Sequence, residues 1–106
     1  PLFERVRPDL VFYQAGVDGL ACDRFGKLSL SRSGLRKRNE LIYQLCRVYE
    51  VPCVVTMGGG YPRRIDQVSH DAIQVVQAHM DVYRGVARAG ISRCHHRALQ
   101  RGLASE

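Results

Sequence analysis

The chain has 106 residues, 45% of them hydrophobic, and a formal net charge of +6. This is the length of one small domain or of part of a larger one, and no apolar run is long enough to span a membrane. The first residues are not a basic segment followed by an apolar one, so no signal peptide is recognised. The basic residues are dispersed among acidic ones, and the main cluster, Arg36-Lys37-Arg38, lies at the expected start of a helix, so nucleic acid is not the expected partner.

Residues 9–15 form a short apolar run between Pro8 and Gly16, which predicts a buried strand. Residues 16–30 are rich in small and acidic residues and predict a long loop. A helix capped by Ser31 or Ser33 follows and ends before Pro52. Its predicted apolar stripe consists of Leu35, Leu41, Ile42, Leu45, Val48 and Tyr49.

Residues 53–57 predict a second buried strand, which ends at three consecutive glycines. A second helix follows, and Gly85 and Gly90 are expected to break it. Residues 85–106 are then a polar, basic C-terminal tail. The predicted stripe of the second helix consists of Ile65, Val68, Ala72, Val75, Val76, His79, Val82 and Tyr83.

The predicted order is β-α-β-α, which indicates an α/β fold with a parallel sheet covered on both faces. Two strands leave two open sheet edges, and the chain has no initiator Met. We therefore expect a piece of a longer protein that forms a homo-oligomer when isolated. Ligands of such sheets bind at the carboxyl ends of the strands, which here are residues 16–18 and 58–61.

None of the four cysteines, Cys22, Cys46, Cys53 and Cys94, belongs to a CxxC pair, so the usual structural zinc spacing is absent. Cys46 and Cys53 lie in apolar stretches and are expected in the core. We expect free thiols in a reducing, cytoplasmic compartment.

Asp18 and Tyr61 follow the two predicted strands. Taken alone, Asp18 suits a turn or cap as well as it suits a metal ligand or general base. A tyrosine after a glycine-rich turn can donate to a reacting oxygen, although packing is the commoner role. Three glycines in a row cost much conformational entropy, which indicates a need for bare backbone, a positive φ or room for a ligand.

Taken together and in order, PDLVFYQAGVDGLACDRFGKLSLSRSGL and VPCVVTMGGGY resemble the C-terminal part of the histone deacetylase superfamily. That superfamily includes zinc-dependent histone deacetylases, acetoin-utilisation proteins and acetylpolyamine amidohydrolases. The resemblance runs from about Pro8 to Tyr83, and within the superfamily it is to the bacterial and class IV-like members. It implies that residues 1–84 are the C-terminal β-α-β-α portion of an arginase/deacetylase-type three-layer fold.

The resemblance also implies roles for single residues. Asp18 matches the family's third zinc ligand, and Tyr61 matches the tyrosine that hydrogen-bonds the acetyl carbonyl and then the oxyanion. The glycines match those that line the narrow acyl-lysine channel, namely Gly58, Gly59 and Gly60. Arg24 matches an arginine that helps some members to bind an anion near the active site, but a structural role in the loop is the interpretation we favour. Asp23 is interpreted as an organiser of the loop.

The resemblance further implies Zn²⁺ as cofactor and acetyl-lysine or an acetylated amine as substrate. The family's other two zinc ligands come from an upstream Asp-x-His motif, which this chain lacks. Its catalytic histidine pair is also upstream, whereas His95-His96 lies in the predicted tail. His79 is interpreted as a core or interface residue rather than a ligand. We therefore expect the isolated chain to be inactive.

Two other functions are compatible with the residues. A binding module without catalysis could use the positive charge to meet an acidic partner or nucleic acid, with a steep salt dependence. A phosphate-binding domain could use the glycine run before a helix, although neither Walker nor GxGxxG spacing is present.

Overall fold

The computed structural model describes residues 2–63 and 69–89. Its elements in chain order are α1 (Leu2–Val6), β1 (Val11–Gln14), α2 (Arg32–Val48), β2 (Cys53–Thr56) and α3 (His70–Ala89). The predicted β-α-β-α order is confirmed from β1 to α3, and the short α1 was not predicted. None of the helices among the described residues is both long and apolar enough to cross a bilayer.

The two strands pair in parallel, with Val11 opposite Cys53 and Gln14 opposite Thr56. This confirms the α/β class and the parallel sheet. The pairing continues beyond the strands, since the Ala15 N–H donates to the Thr56 carbonyl at 2.9 Å. The chain therefore leaves both strands in register, and the two loops that follow start side by side.

One face of the sheet is uncovered by the described residues. Burial alternates along both strands, and Phe12 is 71% exposed while Val54 is 42% exposed. The described residues therefore cover only one of the two faces that were expected to be covered. The reason is that α2 packs over the face of Tyr13, whose hydroxyl donates to Asn39 Oδ1 at 2.6 Å, and α3 packs against α2 rather than over the other face.

Helix α2 begins where the sequence predicts, but of its predicted stripe only Leu35 is fully buried. Ser31 is the N-cap, and its Oγ accepts a hydrogen bond from Gly34 N at 3.0 Å. The helix ends at Val48, with Tyr49 as the C-cap and Glu50 at φ 52°. The buried residues are Leu35, Asn39, Tyr43 and Cys46, whereas Leu41 and Val48 of the predicted stripe are exposed. Two polar side chains can occupy the buried face because both make internal hydrogen bonds.

Helix α3 begins at His70, and the Oγ of the preceding Ser69 accepts from Ala72 N. Val75 and Val82 of its predicted stripe are buried, while Val76 and Tyr83 are exposed. The predicted stripe members Ile65 and Val68 lie outside the described residues.

Gly85 does not break α3, which continues to Ala89. A Cβ at Gly85 would lie 2.9 Å from Tyr43 Cε2, so the glycine lets α3 approach the ring of α2 closely. Gly90 and the Cys94-His95-His96 segment lie outside the described residues.

The core joins the long loop to both large helices. Its members are Val17, Leu20, Leu35, Val75 and Ala78, with Cys22 packed against them. The loop of residues 16–30 is thus anchored by buried side chains at its start. This anchoring fixes the backbone around Asp18 and Asp23.

Candidate active site

The site lies where the chain leaves the two strands. Val17 N–H donates to the Gly59 carbonyl at 2.7 Å, which ties the two loops together. A Cβ built on Gly59 would lie 3.6 Å from Asp18 Cγ and 3.7 Å from Tyr61 Cε2. Asp18 and Tyr61, forty-three positions apart in the chain, therefore flank the same glycine, and both side chains are exposed.

Asp23 is the residue that joins the loop to the glycine segment. It is only 2% exposed. Its Oδ1 accepts hydrogen bonds from Phe25 N at 2.9 Å and Gly26 N at 2.7 Å. Its Oδ2 accepts from Tyr61 N at 2.7 Å. The prediction that Asp23 organises the loop is confirmed, and its bond to Tyr61 was not foreseen.

These bonds keep Asp23 ionised. Burial favours the neutral acid, but hydrogen bonds from the backbone of Tyr61, Gly26 and Phe25 outweigh it, so the pKa of Asp23 is below its usual value. A buried carboxylate that accepts three backbone N–H hydrogen bonds therefore holds the two segments firmly together.

Tyr61 is held through its backbone and ring rather than through its hydroxyl. Its carbonyl accepts from Arg24 N at 2.8 Å, and the adjoining Asp23 and Pro62 form an isolated antiparallel bridge. The ring meets the edge of Phe25 at 5.8 Å between centroids. The side chain is 55% exposed, and its hydroxyl makes no hydrogen bond within the described part of the chain.

The outer two glycines of the run are needed for internal packing. A Cβ at Gly58 would lie 2.6 Å from Gln14 Nε2 and 2.7 Å from Gly16 Cα. Gly60 has φ 154°, and a Cβ there would overlap Val17 and lie 3.0 Å from His79 Nε2. Only Gly59 has ordinary clearance toward Asp18 and Tyr61.

The glycine run does not open a helix. Pro62, two residues after Gly60, pairs with Asp23 in an antiparallel bridge. The phosphate-binding alternative relied on a helix N-terminus directly after the glycines, and this geometry does not provide it.

Two arginines flank the site. The Arg24 guanidinium lies 5.3 Å above the centroid of the Phe25 ring, a contact typical of a structural arginine. Arg38 of α2 donates from Nη1 to the Gly16 carbonyl at 2.8 Å and lies over the Tyr13 ring. From the sequence, Arg38 was predicted only as part of the basic cluster Arg36-Lys37-Arg38 at the start of the helix. The sequence carried no signal that it faces inward, because the burial of its neighbour Asn39 depends on a hydrogen bond from the distant Tyr13.

His79 lies behind the glycines rather than in front of them. It is half-buried, its Nε2 faces Gly60, and burial lowers its pKa, which favours the neutral imidazole. This agrees with the prediction of a packing residue. His70 is exposed at the start of α3.

A metal ion at this site would need ligands from elsewhere. Within residues 2–63 and 69–89, no group of three His, Cys, Asp or Glu side chains could hold a metal ion. The exposed Asp18 carboxylate suits one oxygen position of a zinc ion. The described residues thus fit one ligand of such a site and not a complete set.

The fold and this site define an α/β protein with a carboxylate and a tyrosine at the carboxyl ends of adjacent parallel strands. Residues 1–79 match the family model described as "Histone deacetylase domain". The chain therefore belongs to the histone deacetylase family.

Two relatives illustrate the similarity. The chain is 39% identical over 82 residues to an uncharacterized protein of Picosynechococcus sp., a match that covers 77% of this chain and 27% of the relative. It is 35% identical over 68 residues to Histone deacetylase 2 of Arabidopsis thaliana, a match that covers 64% of this chain and 18% of the relative. The chain thus spans about a quarter or less of the length of these relatives.

Proposed function

We propose that residues 1–84 are the C-terminal part of a zinc-dependent amide hydrolase that removes acetyl groups from acetyl-lysine or acetylated amines. The observation that carries the proposal is the meeting of Asp18 and Tyr61 at Gly59. Membership of the histone deacetylase family supports the reaction class. In this proposal the β-α-β-α unit belongs to an arginase/deacetylase-type three-layer fold.

Tyr61 would donate its hydroxyl hydrogen to the substrate carbonyl oxygen and, more strongly, to the oxyanion that develops from it. Such a donor acts well when it is positioned in advance. The backbone bonds of Tyr61 to Asp23 and Arg24 hold the residue without using the hydroxyl, so the hydroxyl is available to a substrate.

Asp18 would hold Zn²⁺ through its carboxylate, together with ligands from residues outside those described. Bound zinc supplies Lewis acidity toward the acetyl carbonyl and lowers the pKa of a water molecule to about 7. Gly59 would form part of the channel wall, because it alone of the three glycines has clearance on the side of Asp18 and Tyr61.

The 106-residue chain by itself is proposed to be inactive. A lone carboxylate holds zinc weakly, and His79 packs against Gly60. Arg24 is proposed to act on the loop through Phe25, with anion binding as the less favoured role.

The proposed setting is the cytoplasm, where Cys22, Cys46 and Cys53 would stay as the free thiols seen in the fold. Homo-oligomerisation of the isolated chain is also proposed. The exposed Phe12 and Val54 on the uncovered sheet face support it. Light scattering tests it, and a monomer at micromolar concentration would contradict it.

The enzymatic proposal is tested on this chain and on a version extended upstream to the length of its relatives. Zinc content and turnover of a fluorogenic acetyl-lysine amide are measured for both. In the extended chain, Tyr61→Phe should lower kcat by about 10²–10³, and Asp18→Asn should lower both zinc content and turnover. The matched controls are Tyr83→Phe and Asp9→Asn, which change exposed side chains remote from the site in sequence.

An extended chain that binds no zinc and cleaves no amide would refute the catalytic proposal. Equal effects of Tyr61→Phe and Tyr83→Phe would refute the role of Tyr61 alone. Turnover by the 106-residue chain itself would refute its proposed inactivity.

A further inference from the structure

An open groove of about 610 Å³ lies between α2 and α3, away from Asp18 and Tyr61. Its floor includes Asn39, Tyr43 and Asp81, which are all buried. These polar groups are already bonded: Tyr43 Oη donates to the Val82 carbonyl at 3.0 Å, and Asp81 accepts from Arg32 Nε at 2.6 Å and Nη2 at 2.9 Å. The Asp81 carboxylate and the Tyr43 hydroxyl in the floor are therefore already engaged within the protein.

The walls of the groove carry unpaired positive charge. Each helix supplies two exposed arginines, and none of them has a hydrogen bond or ion pair to another described residue; they are Arg36, Arg47, Arg84 and Arg88. Among the described residues, Glu40 is the one other charged lining residue once Arg32 and Asp81 are counted as a neutral pair. Four positive charges against one negative charge leave a surplus of three.

The field of these arginines converges on the floor. The pKa of Asp81 is lowered first by its hydrogen bond from Arg32, against the opposing effect of burial, and further by the charges of Arg32, Arg36 and Arg84. Arginines of both walls therefore act on the same point between the helices. An anion in the groove would feel both walls at once.

The spacing of the charges favours an extended ligand. Arg36 and Arg47 are eleven residues apart on α2, which is about 16 Å along a helix axis. A compact anion would reach one end of this row, whereas about five residues of extended peptide would cover it. Nucleic acid is disfavoured because base stacking needs exposed aromatic rings. Among the described lining residues the one aromatic ring is that of Tyr43, which is 2% exposed.

We propose that the groove between α2 and α3 binds an acidic peptide segment of a partner protein. The carboxylates of the peptide pair with guanidinium groups of both walls, a geometry that arginine favours. This interaction is independent of the deacetylase reaction, because no groove residue belongs to the proposed catalytic set.

The test measures fluorescence anisotropy of a labelled decapeptide of alternating Glu and Ala with the 106-residue chain. The groove variant Arg47→Gln/Arg84→Gln is compared with Arg5→Gln/Lys37→Gln, which removes the same charge from exposed positions outside the groove. The groove variant should weaken binding about tenfold if each lost contact contributes about as much as a good exposed ion pair. The control variant should weaken it less than about threefold, by the loss of general attraction alone.

Three outcomes would overturn the proposal. The first is equal weakening in both double variants, which would mean that net charge alone attracts the peptide. The second is equal affinity for a Gln-Ala decapeptide. The third is tighter binding of a single-stranded decanucleotide that the groove variant abolishes, which would make nucleic acid the occupant. Thermal melts of both variants exclude unfolding as a cause, and Arg36→Gln/Arg88→Gln repeats the test with the other arginine of each wall.

Discussion

Replacement of Asp23 by asparagine should test the structural role of this residue, which is distinct from the proposed chemical roles of Asp18 and Tyr61. Asp23 accepts three backbone hydrogen bonds while 2% exposed. Asparagine has the same shape but one acceptor oxygen instead of two. If that oxygen faces Phe25 and Gly26, the amide NH₂ points at the Tyr61 N–H, and a donor meets a donor.

The cost follows from these contacts. A hydrogen bond to a charged acceptor contributes about 1.5–3 kcal/mol, and a buried donor without an acceptor costs about 1–3 kcal/mol. The loss of one such bond, with two others weakened to neutral bonds, gives about 3 kcal/mol. Since small domains are stable by about 5–15 kcal/mol, this is a large fraction of the total.

The assay is urea unfolding of the 106-residue chain, followed by circular dichroism. The matched control is Asp18→Asn, which makes the same chemical change five residues earlier at an exposed position and should change the free energy of unfolding by less than about 0.5 kcal/mol. If the two variants had equal unfolding midpoints, the claim that the hydrogen bonds of Asp23 stabilise the fold would be wrong.

The pH dependence has a definite sign. The pKa of Asp23 is lowered in the folded state, so its contribution to stability is complete above the usual aspartate pKa of about 3.9. That contribution is lost as the pH falls through the folded-state pKa. The stability difference between the wild-type chain and Asp23→Asn should therefore shrink on acidification below about pH 4.

The other predictions concern packing, the helix pair and the thiols. Gly26→Ala should destabilise the chain by about 2 kcal/mol or more because the new Cβ would overlap a backbone carbonyl oxygen; Gly34→Ala, which meets nothing closer than 3.5 Å, should stabilise α2 by about 0.4–1 kcal/mol. Equal unfolding midpoints for these two variants would contradict the close packing of the loop. Asp81→Ala should lower the free energy of unfolding by about 3 kcal/mol, because it leaves the half-buried Arg32 without its carboxylate partner. The double variant Asp81→Ala/Arg32→Ala, measured in the same denaturation series, should recover part of that loss. Burial and the neighbouring thiol of Cys46 on α2 raise the pKa of Cys53 to about 12. Iodoacetamide at pH 8 should therefore alkylate Cys53 at least about tenfold more slowly in the folded chain than in urea. Equal alkylation rates, measured by mass spectrometry, would contradict this.

Much of the fold could be predicted because local patterns specify it. Apolar runs bounded by proline and glycine give both strands to within two residues at either end. The buried face of α2 could not be found in the same way. Hydrophobicity favours Leu41 and Val48 for the core, yet both are exposed, while Asn39 is buried. The polar residue is tolerated there because Tyr13, from a distant strand, donates to it, and no window of sequence contains that contact.

The site shows the same division between local and distant causes. The order Asp18, then the glycines, then Tyr61 could be recognised in the sequence, and parallel strands explain why these residues come close together. The separate tasks of the glycines could not be predicted. Gly58 and Gly60 have no room for a side chain because Gln14, Val17 and His79 lie against them. Those contacts form only after β1 and α3 have packed.

The way Tyr61 is held makes Tyr61→Phe a clean probe of its chemistry. Both hydrogen bonds that fix the residue involve its backbone, and the ring contact with Phe25 does not need the hydroxyl. The free energy of unfolding of the variant, measured in urea, should therefore equal that of the wild-type chain within about 0.5 kcal/mol. In the extended chain, a loss of kcat with unchanged stability would then be due to the missing hydroxyl rather than to a displaced backbone. A loss of both would mean that the hydroxyl holds the segment in place, and the assignment of Tyr61 as an oxyanion donor would have to be abandoned.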